Sequence, residues 1–324
     1  MKVLIVGYGS MGRRRIRLLK EVLSDVEFLC VDSNEERQKS AAETGIKVYS
    51  TLQDALKENI EVAFVCTSPG THADIILQLV QKGINVFTEL NLTADKYEEI
   101  ERLAIQNQCT VFMSSTMLYN KQVCKIKELV KETQGALTYM YHIGQYLPDW
   151  HPWESYKDFF IGQKATNGVR EIFAIQLPWI IETFGSVKNL TASTKKCTGL
   201  DIEFEDSAIV LLQHENGHRG VFVADTVSRK AVTSLEIVGE QLHLFWNGHN
   251  DDLYNYNIET KASEQIMLYD QVKHEDGYAD NIIENQYIDE IKNFVNVVKG
   301  IEKPKYSLQK DKYILSLIDE IEGV

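Results

Sequence analysis

The fold is decided by residues 3–12, which read Val3-Leu4-Ile5-Val6-Gly7-Tyr8-Gly9-Ser10-Met11-Gly12. A short apolar run that leads into G-x-G-x-x-G is the dinucleotide-binding fingerprint. Its glycines permit a tight turn, close backbone approach to a pyrophosphate and close helix–strand packing. The amphipathic stretch after Gly12 predicts a helix whose N-terminal N–H groups face the phosphates. Residues 7–12 are therefore predicted to bind a dinucleotide; the alternative is a glycine-rich turn that binds nothing.

Asp32 ends the next apolar run, twenty residues after Gly12. A carboxylate at this position accepts hydrogen bonds from the ribose hydroxyls, which favours NAD over NADP as the cofactor. Ser33 is assigned to the same site. The sequence from Ser33 to Glu36 is also typical of a capping box that begins a helix, and the two roles are compatible.

Length and composition limit the classes of protein to which the chain can belong. Its 324 residues suggest two domains, and 44% hydrophobic with 25% charged residues is typical of a globular protein. A formal charge of −13 argues against nucleic acid or an anionic membrane as the partner. The five cysteines are scattered without C-x-x-C spacing, which favours reduced thiols in a cytoplasmic protein. The residues show no metal-ligand spacing, so no metal is predicted.

The order of elements predicts an α/β chain with two different halves. Residues 1–117 alternate strands and helices, which predicts a Rossmann domain with a doubly wound parallel sheet. Its predicted strands are 2–6, 26–31, 62–66, 85–88 and 110–113. Residues 118–324 predict an α+β domain with an open, mostly antiparallel sheet for substrate binding and oligomerisation. Its predicted strands are 136–147, 187–196, 206–214, 219–227, 231–239 and 241–246, and its predicted helices are 170–184, 283–299 and 307–321.

Two further segments carry a resemblance to a known family. They read Val62-Ala63-Phe64-Val65-Cys66-Thr67-Ser68-Pro69-Gly70-Thr71-His72 and Gly83-Ile84-Asn85-Val86-Phe87-Thr88-Glu89. With the fingerprint, they resemble the Gfo/Idh/MocA oxidoreductase family. The resemblance implies a sugar or cyclitol substrate whose hydroxyl carbon exchanges a hydride with a nicotinamide. It also implies cofactor contacts from Thr67, Ser68, Pro69, His72 and Glu89. Residues 144–154 resemble members from surface-polysaccharide and nonulosonic-acid sugar pathways.

The chain departs from the family at both of its usual proton carriers. The family usually has Glu-Lys-Pro where this chain has Glu89-Leu90-Asn91, and Leu90 cannot exchange a proton. The family's second signature is an acid followed four residues later by histidine. Glu171 stands for the acid, but Ile175 occupies the histidine position, with Gln176 beside it. Because oxidation of an alcohol must also remove the hydroxyl proton, another acid or base is required if the chain turns over.

The segment around His151 supplies the replacement predicted from the sequence. His151 is the predicted proton carrier, and Glu154, Tyr156 and Glu171 are further catalytic candidates. The predicted substrate-binding residues are Trp150, Trp153 and Arg170. The alternative is an aromatic-rich loop in which His151 has only a structural hydrogen bond.

The leading hypothesis is an NAD-dependent oxidoreductase that acts on a sugar or an activated sugar. The alternatives are a nicotinamide-binding sensor or partner subunit without redox turnover, and an enzyme that uses tightly bound NAD transiently. Strands at 208–212 and 221–224 are apolar at both alternating positions, which predicts a sheet face that a second copy covers. We therefore expect a homodimer or tetramer, and members of the family usually associate through that sheet.

Overall fold

The computed structural model describes residues 1–151, 154–275 and 282–324. The chain forms two compact units, each built from two segments. The first unit comprises Met1–Ser115 and Tyr287–Lys312, and the second comprises Thr116–Gln286 and Tyr313–Val324. The first segment ends two residues before the predicted boundary at residue 117. The division differs from the prediction in one respect, because residues 287–312 belong to the first unit.

The first unit contains a parallel sheet with the strand order of a Rossmann fold. Its strands are β1 (Lys2–Val6), β2 (Glu27–Val31), β3 (Lys47–Tyr49), β4 (Val62–Val65), β5 (Asn85–Thr88) and β6 (Val111–Met113). They lie in the order β3-β2-β1-β4-β5-β6, and every neighbouring pair is parallel. The connecting helices are α1 (Ser10–Val22), α2 (Glu35–Glu43), α3 (Leu52–Ala55), α4 (His72–Gln81) and α5 (Tyr97–Gln106). The predicted doubly wound domain is confirmed.

The second unit contains a mostly antiparallel sheet, as predicted. Its strands are β7 (Thr138–Gly144), β8 (Val187–Lys195), β9 (Ser207–His214), β10 (Arg219–Asp225), β11 (Val232–Val238), β12 (His243–Trp246), β13 (Leu253–Asn257) and β14 (Ala262–Gln265). The order is β14-β13-β12-β11-β7-β10-β9-β8, and β7 and β10 are the parallel pair. The helices α6 (Lys121–Glu132) and α7 (Gly168–Phe184) also belong to this unit. The last two strands, β13 and β14, were not predicted.

Helix α7 covers one face of this sheet with aromatic side chains. The ring centroids of Phe173 and Phe222 lie 5.0 Å apart, and those of Trp179 and Tyr141 lie 5.4 Å apart. On the opposite face of the sheet, Ile209 is 53% exposed, because side chains alternate between faces along β9.

Two C-terminal helices, α8 (Asn285–Val298) and α9 (Leu308–Glu322), complete the fold. In the first unit, the ring of Phe294 packs edge-on against Phe64, Phe87 and Phe112, with centroids 5.3–5.4 Å apart. This aromatic cluster explains why residues 287–312 join the first unit. None of the helices within the described residues is both long enough and apolar enough to cross a membrane.

Candidate functional site

The glycine turn after β1 has the geometry that a dinucleotide requires. Gly7 has a φ of +97°, and its N–H donates to the carbonyl oxygen of Val31 at 2.8 Å. A Cβ atom on Gly12 would lie 2.0 Å from the Gly7 carbonyl oxygen, so only glycine fits where α1 leaves the turn. A Cβ on Gly9 would meet nothing closer than 3.9 Å. The turn therefore leaves space at Gly9 for a diphosphate to approach the backbone.

Two features make the surroundings of Gly9 suitable for an anion. Gly9 caps the N-terminus of α1 without a side-chain hydrogen bond, and a helix N-terminus attracts negative charge. The guanidinium of Arg37 also borders the open space, because its Nη1 atom is the one that lies 3.9 Å from a Cβ built on Gly9. Arg37 was not predicted from the sequence, since an arginine in the first turns of a helix is usually only solvated. Ser10 and Met11 belong to the first turn of α1.

Asp32 organises the backbone around this turn. One carboxylate oxygen accepts a hydrogen bond from the Tyr8 N–H at 2.7 Å, and the other accepts from the Asn34 N–H at 2.8 Å. The helix cap itself is Asn34, whose side chain accepts from the Arg37 N–H at 3.0 Å. Ser33 is exposed and does not cap α2. Asp32 therefore has a structural role, and its predicted contact with the ribose stays a prediction.

Two buried side chains, His72 and Arg15, hold the loops after β4 and β5. Thr67 and Ser68 precede a short 3₁₀ turn that begins at Pro69. His72 follows it, and its Nε2 atom lies 2.9 Å from the carbonyl oxygen of Thr67. Glu89 accepts hydrogen bonds from Arg15 Nε at 2.6 Å and Nη2 at 3.0 Å. These loops lie at the carboxyl ends of adjacent parallel strands, which is where ligands bind in sheets of this kind.

Arg15 is completely buried and pairs with two carboxylates. Besides Glu89, its Nη2 atom contacts Glu290 at 2.9 Å, and Glu290 also accepts from the Ser115 N–H at 2.8 Å. Burial alone would lower the pKa of Arg15, but the two carboxylates raise it above its ordinary value. Arg15 therefore fixes Glu89 in place by a fork-shaped, charge-assisted pair.

The predicted catalytic and substrate-binding residues that the structure describes lie in the second unit. Glu171 occupies the first turn of α7, which Asn167 caps. Its Oε2 atom is shielded from solvent and has no hydrogen-bond partner among residues 1–151, 154–275 and 282–324. Burial raises the pKa of Glu171 to about 7. A carboxyl group with this pKa exchanges a proton readily at neutral pH.

Trp150 lies close to the start of the same helix. A Cβ on Gly168 would lie 3.4 Å from the Trp150 ring, and the ring is held by a 2.9 Å hydrogen bond from Nε1 to the carbonyl oxygen of Gln145. Gly168, Glu171 and Ile175 are three and four residues apart, so they share one side of α7. The structure therefore brings Trp150 and Glu171 to the same end and side of this helix.

Neither residue at the two positions where the family has its proton carriers can exchange a proton. Leu90 and Ile175 are both partly exposed and apolar. The side chain of Gln176 is buried, and its Oε1 atom accepts from Tyr141 OH at 2.9 Å and from Trp179 Nε1 at 2.7 Å. The Gln176 side chain therefore belongs to the hydrophobic core, and it does not replace the family's histidine.

The described residues on either side of His151 make polar and aromatic contacts with one another. His151 Nδ1 lies 2.6 Å from Glu154 Oε1, and the His151 ring lies 4.3 Å from that of Phe159. Tyr156 packs against a buried cluster made of Leu147, Ile161, Ile202 and Phe204. These contacts are what a structural role for His151 predicts. They also bring two candidate proton carriers, His151 and Glu154, together. Trp153 lies outside the described residues.

Arg170 is held by two carboxylates of α9. Its Nη1 atom contacts Glu322 at 2.5 Å, and its Nη2 atom contacts Asp319 at 2.6 Å. Because its guanidinium is buried and bound in this way, Arg170 joins α7 to α9. Its predicted contact with substrate stays a prediction.

Together, the sheet order, the glycine turn and Asp32 define a dinucleotide-binding protein of the Rossmann class. Residues 1–115 match the model of the Gfo/Idh/MocA oxidoreductase family, which is described as an NAD-binding Rossmann fold. This match confirms, over residues 1–115, the resemblance predicted from the sequence.

The chain also resembles individual proteins. It is 27% identical over 201 residues to biliverdin reductase A of Mus musculus, a match that covers 59% of this chain and spans only 60% of the mouse protein. It is 21% identical to myo-inositol 2-dehydrogenase of Thermotoga maritima over 98% of this chain and 94% of that protein. The WlbA dehydrogenase of Bordetella pertussis, solved with NADH and UDP-GlcNAcA, has a TM-score of 0.77 at 16% identity, covering 99% of this chain and 95% of that one. At this identity the similarity shows a shared fold.

Proposed function

We propose that the protein is an NAD-dependent oxidoreductase that transfers a hydride between nicotinamide and a hydroxyl carbon of a sugar or activated sugar. One observation carries the proposal of turnover: Glu171 is a shielded carboxyl group with a pKa of about 7, and its Oε2 atom has no hydrogen-bond partner within the described part of the chain. Structural carboxylates are usually hydrogen-bonded, and an acid kept near neutral pKa by burial is typical of a catalytic group. Glu171 therefore replaces both missing proton carriers.

The residues that would hold NAD are those of the glycine turn and the loops beside it. Gly9 leaves room for the diphosphate, the first turn of α1 and Arg37 provide positive charge, and Asp32 lies at the ribose position. NAD would supply the hydride acceptor for oxidation and the hydride donor, as NADH, for reduction.

Glu171 performs the proton transfer in this proposal. During oxidation, its ionised carboxylate removes the hydroxyl proton of the substrate while the hydride leaves the carbon, and the O–H electron pair forms the carbonyl double bond. During reduction, the protonated carboxyl group returns that proton. Oxidation should consequently accelerate as the pH rises through about 7, and reduction should accelerate as it falls.

Two observations support a sugar as the substrate. Trp150 presents a half-buried ring beside the helix turn that carries Glu171, and an aromatic ring is a suitable platform for the apolar face of a sugar. The relatives named above include a cyclitol dehydrogenase and a dehydrogenase solved with a nucleotide sugar. We therefore expect a cyclitol, a sugar acid or a nucleotide-linked sugar.

The test is NADH formation, followed by absorbance, with a panel of cyclitols, sugar acids and nucleotide sugars. Glu171→Gln should reduce turnover by about 10²-fold or more and leave NAD affinity unchanged, the usual scale for a lost general acid or base. His151→Ala is the competing variant. If it abolishes turnover while Glu171→Gln retains it, the proton carrier is His151. If NADH binds but no substrate turns over, the protein is a sensor or partner subunit, or uses NAD only transiently.

We also propose that a second copy covers the open face of the second sheet. Met140, Ile209 and Leu211 are 42–53% exposed on this face. Met140 and Leu211 pair with the same residue of β10 from its two sides, and Ile209 lies two residues from Leu211 on β9. A patch of exposed apolar side chains on a sheet is typical of an interface, and symmetric pairing closes it without leaving a second patch. The expected assembly is a homodimer or a tetramer of two such pairs.

A further inference from the structure

A continuous chain of hydrogen bonds runs through the interior of the first unit. It begins at the Thr67 carbonyl oxygen, which lies 2.9 Å from His72 Nε2, and continues from His72 Nδ1 to Asn91 Oδ1 at 2.6 Å. Asn91 Nδ2 lies 2.8 Å from the hydroxyl of Tyr97, which bonds to Asp311. We call this set the His72–Asp311 chain. His72, Asn91, Tyr97 and Asp311 are each no more than 5% exposed.

The directions of these bonds are coupled, because several members can only donate or only accept. An ionised Asp311 only accepts, so the hydroxyls of Tyr97 and Tyr306 must both donate to it; the Tyr306 bond is 2.9 Å long. The Tyr97 oxygen then accepts from the amide nitrogen of Asn91. The Asn91 oxygen consequently faces His72 Nδ1 and requires a proton there. Since the Thr67 oxygen requires a proton on Nε2, His72 carries both protons when Asp311 is ionised.

The reverse argument gives a second complete arrangement. A neutral His72 that donates from Nε2 to Thr67 presents a lone pair on Nδ1. The amide of Asn91 must then turn so that its nitrogen faces Nδ1, and its oxygen accepts from Tyr97. The Tyr97 oxygen then needs a donor, which is a protonated Asp311. With no proton in the chain, one pair of buried groups would face each other without a hydrogen bond, which is costly. With two protons, the Tyr306 hydroxyl would have to accept from Asp311 instead of donating to it.

We infer that His72 and Asp311 share a single proton, and that Asn91 and Tyr97 are positioning residues that couple the two ends. Proline, which the family usually has at residue 91, offers no side-chain amide, so the coupling depends on Asn91. The coupling also matters for the cofactor site, since His72 holds the turn that starts at Thr67. That consequence rests on the proposed function, whereas the shared proton does not.

Burial disfavours the charged form at both ends of the His72–Asp311 chain. Burial lowers the pKa of His72 and raises the pKa of Asp311 to about 6, so neither end holds its charge easily alone. The carboxylate of Glu89 is the charged group near His72 and favours its protonated form. On the Tyr97 side, the charge of Asp95 also raises the pKa of Tyr97, after the larger effects of burial and of Asp311. Thr88 Oγ1 lies 3.3 Å from His72 Nδ1, but its hydroxyl donates to the Glu89 carbonyl oxygen.

The test is ¹⁵N NMR of the full-length protein with labelled histidine, recorded from about pH 5 to pH 9. The His72 signals are assigned by their loss in His72→Gln. An isolated histidine titrates near pH 6.5. In the wild type, we expect His72 to keep one protonation state, or one fixed mixture, through that region. Tyr97→Phe removes the linking hydroxyl and should restore an independent titration. Tyr49→Phe is the control, because its hydroxyl bonds to Glu58 outside the chain.

Asp311→Asn is the second variant, and it preserves the shape of the side chain. Its amide carries no titratable proton, so His72 can no longer share one with residue 311, and its titration should differ from that of the wild type. If His72 titrates near pH 6.5 with the same midpoint in the wild type and in Asp311→Asn, the inference is wrong, even where Tyr97→Phe fails to fold. NADH titration of the wild type and of both variants separates the two proposals, because the shared proton does not depend on NADH binding. If no variant binds NADH but the NMR coupling is present, only the proposed function fails.

Discussion

Replacing Glu171 by glutamine should make the protein more stable at alkaline pH while it removes turnover. The pKa of Glu171 is raised by burial, so folding favours its protonated form. The stability that this form contributes is complete below the ordinary pKa of a glutamate and is lost as the pH rises through about 7. Glutamine cannot ionise, so the variant does not lose stability in this range.

The magnitude follows from the two pKa values. A pKa of about 7 in the folded protein, against an ordinary 4.5, corresponds to about 3 kcal/mol at about 1.4 kcal/mol per tenfold change in proton affinity. This is an upper bound, because Glu171 is not completely enclosed. The gain should approach this bound at pH 8.5 and fall below about 1 kcal/mol at pH 5.

The assay is urea unfolding at both pH values, followed by tryptophan fluorescence, to which the buried Trp179 on the same helix contributes. Glu154→Gln is the control, because Glu154 is part-exposed and pairs with His151, and its variant should show no such gain at pH 8.5. The reasoning is refuted if Glu171→Gln is no more stable than the wild type at pH 8.5. A gain in stability coupled to lost turnover is the usual behaviour of a strained catalytic group.

Three further predictions concern the cofactor and the assembly. Gly9→Ala should weaken NADH binding about 10-fold or more without unfolding the protein. Gly12→Ala should also lower the melting temperature, because its Cβ would lie 2.0 Å from a carbonyl oxygen. Gly199→Ala is the neutral control in the fluorescence and thermal assays, because its Cβ would meet nothing within 4 Å. Calorimetry should show NADH bound several-fold more tightly than NADPH, since Asp32 repels a 2′-phosphate; equal affinities would remove Asp32 from the ribose site. Light scattering should show a dimer or larger at micromolar concentration and a monomer for Ile209→Lys, and a monomeric wild type would contradict the proposed interface.

The fold was largely predictable because its strands carry strong local signals. β1 and β4 are continuous apolar runs, as strands covered on both faces must be. The missed strands lack such a signal: β3 has three residues, and β14 is exposed along its whole length. The membership of residues 287–312 was missed for a different reason, since it depends on the contact of Phe294 with strands more than 180 residues earlier.

The site was predictable only where one short motif determines it. The glycine turn and Asp32 follow from local sequence, and their geometry agrees with the prediction. The partnership of Arg15 with Glu89 and Glu290 joins residues far apart in the chain, and no spacing rule reveals it. The pairing of Arg170 with Asp319 and Glu322 could not be predicted either, because these partners lie about 150 residues away. The raised pKa of Glu171 likewise depends on burial, which the sequence around it does not indicate.

The composition of the first unit has a consequence for the order in which the protein can fold during synthesis. Arg15 forms its second ion pair with Glu290. Phe294 supplies the last ring of the aromatic cluster that contains Phe64, Phe87 and Phe112. A ribosome that adds roughly 5–20 residues per second produces the fingerprint in the first seconds and these partners roughly 15–60 seconds later. Arg15 therefore lacks one of its two carboxylate partners until nearly the whole chain has been synthesised.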